Sequence, residues 1–276
     1  MFSKINFIYV RTRETMTLFQ EQIQNLIKEI PQLSRVYYYE QIASTHEQSL
    51  FLAKSGAKNG TLLVADFQSQ GRGRLQRSWS SPAGKGLYFS LILRPELSVT
   101  LAPLLTLATG LAMARVLRAE GLKNLLVKWP NDLWVGKKKL GGILSELGHA
   151  GNRVDFVSIG VGLNVSTLPE DFPPELRERA TSLQQVEGES WDRAELLSKI
   201  IPEMFFEITR LGQQGGAELA RRWERESGML GSRVRIAEQG EERSGQVVGL
   251  SDEGRLKIKQ DLQETFEVLA GDVLFI

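Results

Sequence analysis

The sequence contains no cysteine. That absence removes disulfides, thiolate metal sites and cysteine nucleophiles together. An excess of charge of one sign is missing too. Lys+Arg number 34 against 33 Asp+Glu, a net charge of +1, and such balance argues against a dedicated nucleic-acid binder. No apolar run reaches about 18 residues, so no transmembrane helix is expected. The N-terminal MFSKINFIYVRTRE lacks the apolar core followed by small residues that marks a secretory signal. Together with the missing cysteines, this makes a cytoplasmic location the expectation. There is no internal repeat and no low-complexity tract.

What is present supports a large domain with a smaller one attached, because 276 residues of 42% hydrophobic composition can bury a sizeable core. Residues 1–34 are expected to form a short helical extension. Leu18, Phe19, Ile23, Leu26, Ile27 and Ile30 recur at close to a 3.6-residue period, so one amphipathic helix spans 17–30 and stops before Pro31. A helix-turn-helix needs at least two helices, so no DNA-binding head is expected here. From 228 onward, short alternating runs at 234–236, 244–250, 256–258 and 265–269, punctuated by Gly240, Gly254 and Gly271, predict a small β-barrel.

Between these lies QSQGRGRLQRSW, residues 68–79. Gly71 and Gly73 let the backbone approach a ligand closely. Arg72, Arg74 and Arg77 bring three guanidinium groups with no acid among them, and Trp79 adds one large apolar face. The runs 61–65 and 86–93 on either side read as buried strands. A glycine-arginine loop between core strands suits an anionic ligand, a phosphate or a carboxylate, held by backbone N–H groups and Arg forks. Taken alone, the same loop reads equally as a solvated basic surface.

Ser44 or Thr45 caps a helix over 46–55, ending at Gly56. Pro103 opens a long buried helix that continues to Glu120. Residues 125–129, 133–135 and 139–146 read as strands, and the Gly141-Gly142 pair marks a bulge or a close backbone approach. Lys128, Asp132 and Lys139 are three charges on these paired strands. After a strand at 155–159, residues 160–165 read as a glycine-spaced turn. A helix starting after Ser190 runs to Leu211, and another covers 217–226.

In this order, GRGRLQRSW, KWPNDLW, KLGGILSE and GVGLNV resemble the biotin protein ligases, also called biotin–[acetyl-CoA-carboxylase] ligases. The resemblance runs from about Tyr37 to the C-terminus. It implies an α+β fold: a catalytic domain over 35–227 with a central mixed sheet flanked by helices, of the class II synthetase-like biotin/lipoate ligase type, and an SH3-like barrel over 228–276. It implies ATP-dependent conversion of biotin to biotinyl-5′-AMP with release of pyrophosphate. Biotin is then transferred to one lysine of a biotin carboxyl carrier protein. Biotin and ATP are the substrates, Mg²⁺ accompanies the nucleotide, no nucleic acid or membrane partner is implied, and the chain is a monomer or homodimer. The short extension looks like the monofunctional type, without a DNA-binding domain.

Carried over by position, the resemblance implies biotin contacts from Ser44, Thr45, His46, Gln68, Gly71, Arg72, Gly73, Arg74, Lys139 and Gly142. It implies ATP or adenylate contacts from Arg74, Arg77, Trp79, Lys128, Asn131, Asp132 and Asn164. Lys139, Arg72 and Arg74 are the implied catalytic groups, and Asp132 the implied metal ligand. Two positions depart from the pattern. His46 stands where the family usually has Asn, and Gln76 where it usually has Gly. A lipoate or octanoate ligase of the same fold and a biotin-responsive transcriptional regulator are the competing readings.

Overall fold

In the computed structural model, which describes residues 17–238, 241–260, 264–269 and 271–276, the apolar runs assemble into two sheets. The larger is seven-stranded: β1 (Arg35–Ile42), β2 (Thr61–Gln68), β3 (Gly86–Leu93), β4 (Leu125–Lys128), β5 (Asp132–Val135), β6 (Lys138–Ala150) and β7 (Arg153–Asn164). Its spatial order is β1-β2-β3-β7-β6-β5-β4. β1 runs parallel to β2, and the other neighbours are antiparallel.

Alternation along the central strands sorts their side chains onto two faces. Leu62 and Val64 of β2, with Leu87, Phe89 and Leu91 of β3, join the main core. That core packs against α1 (Leu18–Glu29), α3 (Ala102–Ala119), α5 (Arg193–Gln214) and α6 (Gly216–Glu226), while the short α4 (Leu183–Glu187) contributes Leu183. Leu63 and Ile92 point the other way and pack with Phe156 and with Ala53 of α2 (Thr45–Lys54). Burial on both faces explains why β3 reads as a nearly continuous apolar run, broken only by Ser90. α3 is long and apolar enough to cross a membrane by length and composition, but it is mostly buried inside the protein. It lies between the sheet and α5, and needs apolar residues all round.

α1 begins at the Thr17 cap and gives way at Ile30, just before Pro31. α5 starts two residues later than expected. Its cap is Asp192, whose Oδ1 accepts the N–H groups of Ala194 and Glu195 at 2.8 and 2.9 Å. The expected turn at 160–165 is not one: Gly160 to Asn164 continue β7. These glycines are strand positions crowded by rings above them, so their spacing reflects close approach rather than a change of direction.

The smaller sheet is antiparallel, in the order β11-β10-β9-β8-β12, from β8 (Arg233–Glu238), β9 (Glu241–Leu250), β10 (Leu256–Lys259), β11 (Thr265–Val268) and β12 (Asp272–Phe275). It is the SH3-like unit. The expected Gly240 turn lies outside the described residues. Gly271 is expected as turn punctuation, with no strand after it. β12 instead pairs with β8 and carries the chain terminus back to the larger domain. The two units join through Trp129, whose indole N–H donates to Gly254 O at 2.9 Å while its backbone N–H meets Met229 Sδ at 3.0 Å.

Candidate active site

A cleft of about 520 Å³ opens where α2, the arginine loop, the β4–β5–β6 hairpins and β12 meet. At one end, the first turn of α2 supplies hydroxyls. Ser44 caps the helix, its Oγ accepting Glu47 N–H at 3.4 Å. Thr45 donates from both N–H and O–H to Gln68 Oε1, at 2.8 and 3.1 Å. Ser90 donates to Thr45 Oγ1 at 3.0 Å, and Gln68 Nε2 donates to Ser81 Oγ at 2.9 Å. These bonds fix the Gln68 amide in one orientation.

Next comes the loop. Trp79 N–H donates to Gly71 O and Gly73 N–H to Arg77 O, both at 2.8 Å. The loop therefore folds back on itself and fans its three arginines apart. A Cβ on Gly71 would sit 2.5 Å from Trp79 O, so glycine is required there. At the tip, Leu75 and Gln76 occupy the left-handed region with φ of 53° and 59°. Arg72 pairs with Glu47, both at the solvent edge. Arg74 reaches inward to Asn131 Oδ1 at 3.1 Å. Burial pulls its guanidinium below the usual range, with Asp132 and Asp272 opposing that shift. Arg77 turns away and forks onto Asp272 of β12, with Nη1 3.3 Å from Oδ1. The Arg77 bond in turn holds the Asp272 carboxyl below its ordinary value.

The opposite wall is the β5–β6 hairpin. Pairing shifts register between Leu133 and Trp134: Leu133 faces Gly141, but Trp134 faces Lys139. This bulge absorbs one residue and turns the Lys139 side chain to the same side as Gly142. The Lys139 backbone is pinned by Arg179 O and Thr181 N–H at 2.8 and 2.9 Å. Its ammonium lies 2.7 Å from Asp132 Oδ1 and 5.4 Å from the Trp79 ring. Lys128 is buried at 6% exposure, its ammonium 3.8 Å from the Trp134 ring centroid and 5.5 Å from that of Phe275. Burial drives its pKa down to about 8, assisted by Lys139 and opposed by Asp132 and Asp272.

The floor is backbone. Gly142 and Gly162 are cross-strand partners, and Cβ atoms there would lie 3.0 and 2.4 Å from the Trp79 ring. Asn131 and Asn164 line the cleft but are largely committed within the protein. Asn131 Nδ2 donates to Ile143 O and Asn164 Nδ2 to Thr181 O, both at 2.9 Å. Among the described residues no three or more His, Asp or Glu converge as a metal site. Asp132, the implied metal ligand, is paired with Lys139.

All the residues singled out from the sequence border this cleft, apart from Gly71, which holds the loop's shape from behind. Sequence reading missed Asp272, Phe275, Glu146 and the 179–181 segment. Asp272 follows a glycine and reads as a turn, and nothing local reveals that β12 returns to the loop. Glu146 closes the quoted KLGGILSE run without a role.

An α+β domain with a cationic loop facing a lysine-bearing hairpin, joined to an SH3-like unit, defines a ligase class. The Biotin/lipoate A/B protein ligase family pattern matches residues 38–164, and the Biotin protein ligase C terminal domain pattern matches 229–275. The chain is 35% identical over 246 residues to the Biotin--[acetyl-CoA-carboxylase] ligase of Mycobacterium tuberculosis, covering 86% of this chain and 87% of that one. It is 36% identical over 222 residues to the Bifunctional ligase/repressor BirA of Bacillus subtilis, covering 80% of this chain and 68% of that relative. The biotin protein ligase from Aquifex aeolicus, solved in complex with biotin and ATP, superposes with a TM-score of 0.75 at 31% identity, covering 88% of this chain and 99% of that one. The chain belongs to the biotin protein ligase family.

Proposed function

We propose that the protein activates biotin with ATP and transfers it to a lysine of a biotin carboxyl carrier protein. The observation that carries this reading is the cleft itself. Hydroxyl and amide groups at its Ser44–Gln68 end face inward alongside the cations Arg74, Lys128 and Lys139. Residues 35–227 serve as the catalytic domain and 228–276 as the C-terminal unit, whose β12 closes one side of the cleft.

In the first step a biotin carboxylate oxygen attacks the α-phosphorus of ATP. A mixed anhydride forms and the bond to pyrophosphate breaks. Two anions must approach each other, and Arg74 and Lys139 offset that repulsion and the charge growing on the phosphoryl oxygens. Asp132 holds the Lys139 ammonium in place before substrate arrives, so little reorganisation is needed at the reacting atoms. Arg72 closes from the rim by exchanging Glu47 for a ligand anion. In the second step a neutral carrier lysine attacks the acyl carbon, the amide forms, and AMP leaves. Mg²⁺ would enter with the nucleotide's phosphates, and Asp132 is the carboxylate that would help hold it.

Pyrophosphate–ATP exchange with biotin, lipoate or octanoate offered in turn tests the reading. Exchange with biotin is expected. Exchange with lipoate or octanoate and none with biotin overturns it.

A further inference from the structure

Two rings stand on one face of β7. The Trp79 ring covers Gly162, and the His46 ring covers Gly160, two residues earlier, where a Cβ would lie 2.9 Å from His46 Nδ1. Strand geometry sets these two positions about 7 Å apart. The bare backbone between them lines the cleft, with Trp79 on the Lys139 side and His46 beside Ser44 and Thr45.

His46 is held unusually firmly. It is 4% exposed and sits in the first turn of α2. Its Nε2 lies 3.1 Å from Glu146 Oε1 on β6, and its Nδ1 lies 3.3 Å from Ser158 Oγ on β7. Ser158 also touches Ser49 Oγ, and Ser49 donates to His46 O at 2.7 Å. Glu146 and Ser158 are themselves cross-strand partners, so the ring is clamped across one rung of the sheet. Burial lowers the imidazole pKa, with Arg72 acting in the same direction and Glu146 and Glu47 opposing. The ring is therefore neutral at pH 7, with Nε2–H donating to Glu146 and Nδ1 accepting from Ser158. Neither nitrogen is left over for a ligand.

We propose that His46 is the end wall of the slot for biotin's bicyclic head group and determines how large a head group the enzyme accepts, with Glu146 and Ser158 as positioning residues that lock the ring. This deepens the ligase reading and rests on it. An amide at this position could rotate and hydrogen-bond a ureido group. A clamped imidazole cannot, so it limits size by shape, and polar recognition falls to Ser44, Thr45 and Gln68.

The test compares adenylation of biotin with that of a biotin carrying an alkyl group on a ureido nitrogen. Wild type, His46→Asn and His46→Ala are assayed by pyrophosphate–ATP exchange, with the folded fraction of each checked by thermal melting. The readout is the ratio of kcat/KM for the bulky analogue to that for biotin. Both variants are expected to raise it by about tenfold or more, the scale of opening space for a methylene-sized group. His46→Asn is the milder change and keeps the test valid if His46→Ala does not fold. Glu146→Ala frees the ring without emptying the wall. It is expected to raise the ratio less, and because Glu146 opposes the lowering of the imidazole pKa by burial, its loss leaves the ring neutral and adds no pH dependence to the biotin KM near neutrality. An unchanged ratio in a folded His46 variant, with wild type active on biotin, overturns the end wall and leaves the ligase reading standing. A wild type inactive on biotin overturns both.

Discussion

Lys139 Nζ lies 2.7 Å from Asp132 Oδ1, across a β-bulge that aims both side chains into the cleft. The pairing joins KWPND to KLGGIL as one device. Removing either partner therefore has different consequences. Lys139→Ala deletes the charge that faces the reacting phosphoryl oxygens, and pyrophosphate exchange is expected to fall by about 10²–10³-fold, the scale of losing one transition-state donor. Asp132→Asn keeps the lysine but loosens its aim, and a smaller loss in kcat is expected. Equal losses in the two variants, with unchanged melting temperatures, would show that Asp132 does more than orient Lys139.

Lys128 links burial to pH. Its folded pKa of about 8 lies below the ordinary lysine value of 10.5, so between those values the unfolded chain holds more protons than the folded one. Stability from this group therefore rises as pH climbs from about 8 toward 10.5, and below 8 the buried charge is a net cost of up to about 3 kcal/mol. Lys128→Met is expected to be more stable than wild type at pH 7, with the difference shrinking above pH 8 in chemical denaturation. For activity the sign reverses. Loss of the ammonium above pH 8 is expected to raise the KM for ATP in wild type, while Lys128→Met shows a high KM with no such rise.

Gly162→Ala tests the backbone floor. Its methyl would sit 2.4 Å from the Trp79 indole, closer than packing allows, so the ring must shift. A Trp79 fluorescence change and a loss of adenylation are expected. In the Trp79→Ala background the same substitution should cost little further, because the group it collides with is gone. Additive losses in the double variant would place the effect in the sheet rather than in the ring.

Much of this was readable in advance because local physics carried it. Period 3.6 and the stop before Pro31 located α1, and apolar runs located β2 and β3. The Gly141-Gly142 pair pointed to a bulge or a close approach, and the hairpin has both. What failed was non-local. Gly160 and Gly162 look like turn residues until His46 and Trp79 arrive from far away in the chain to cover them. Asp272 gains its role only because β12 folds back onto β8 and meets Arg77, 195 positions earlier.

That long-range contact yields the last prediction. Arg77 and Asp272 form a two-pronged pair between the arginine loop and β12, but both side chains are at least half exposed, at 63% and 51%. Solvent screens such a pair, so Asp272→Asn is expected to change global stability by less than about 1 kcal/mol. Its effect should instead be local. Leu75 and Gln76 at the loop tip are held in left-handed conformations that disfavour side chains, and a loop released from β12 has one less restraint keeping them there. Limited proteolysis of ligand-free protein is expected to cut Asp272→Asn faster than wild type within residues 69–78. Adding Gln76→Gly should slow that cleavage only if strain drives the opening, and speed it if loop entropy does. The Asp132–Lys139 pair lies outside the loop and its substitution provides the control. Equal cleavage of Asp272→Asn and wild type would mean that the loop's own bonds, Gly71–Trp79 and Gly73–Arg77, hold its shape without the C-terminal sheet.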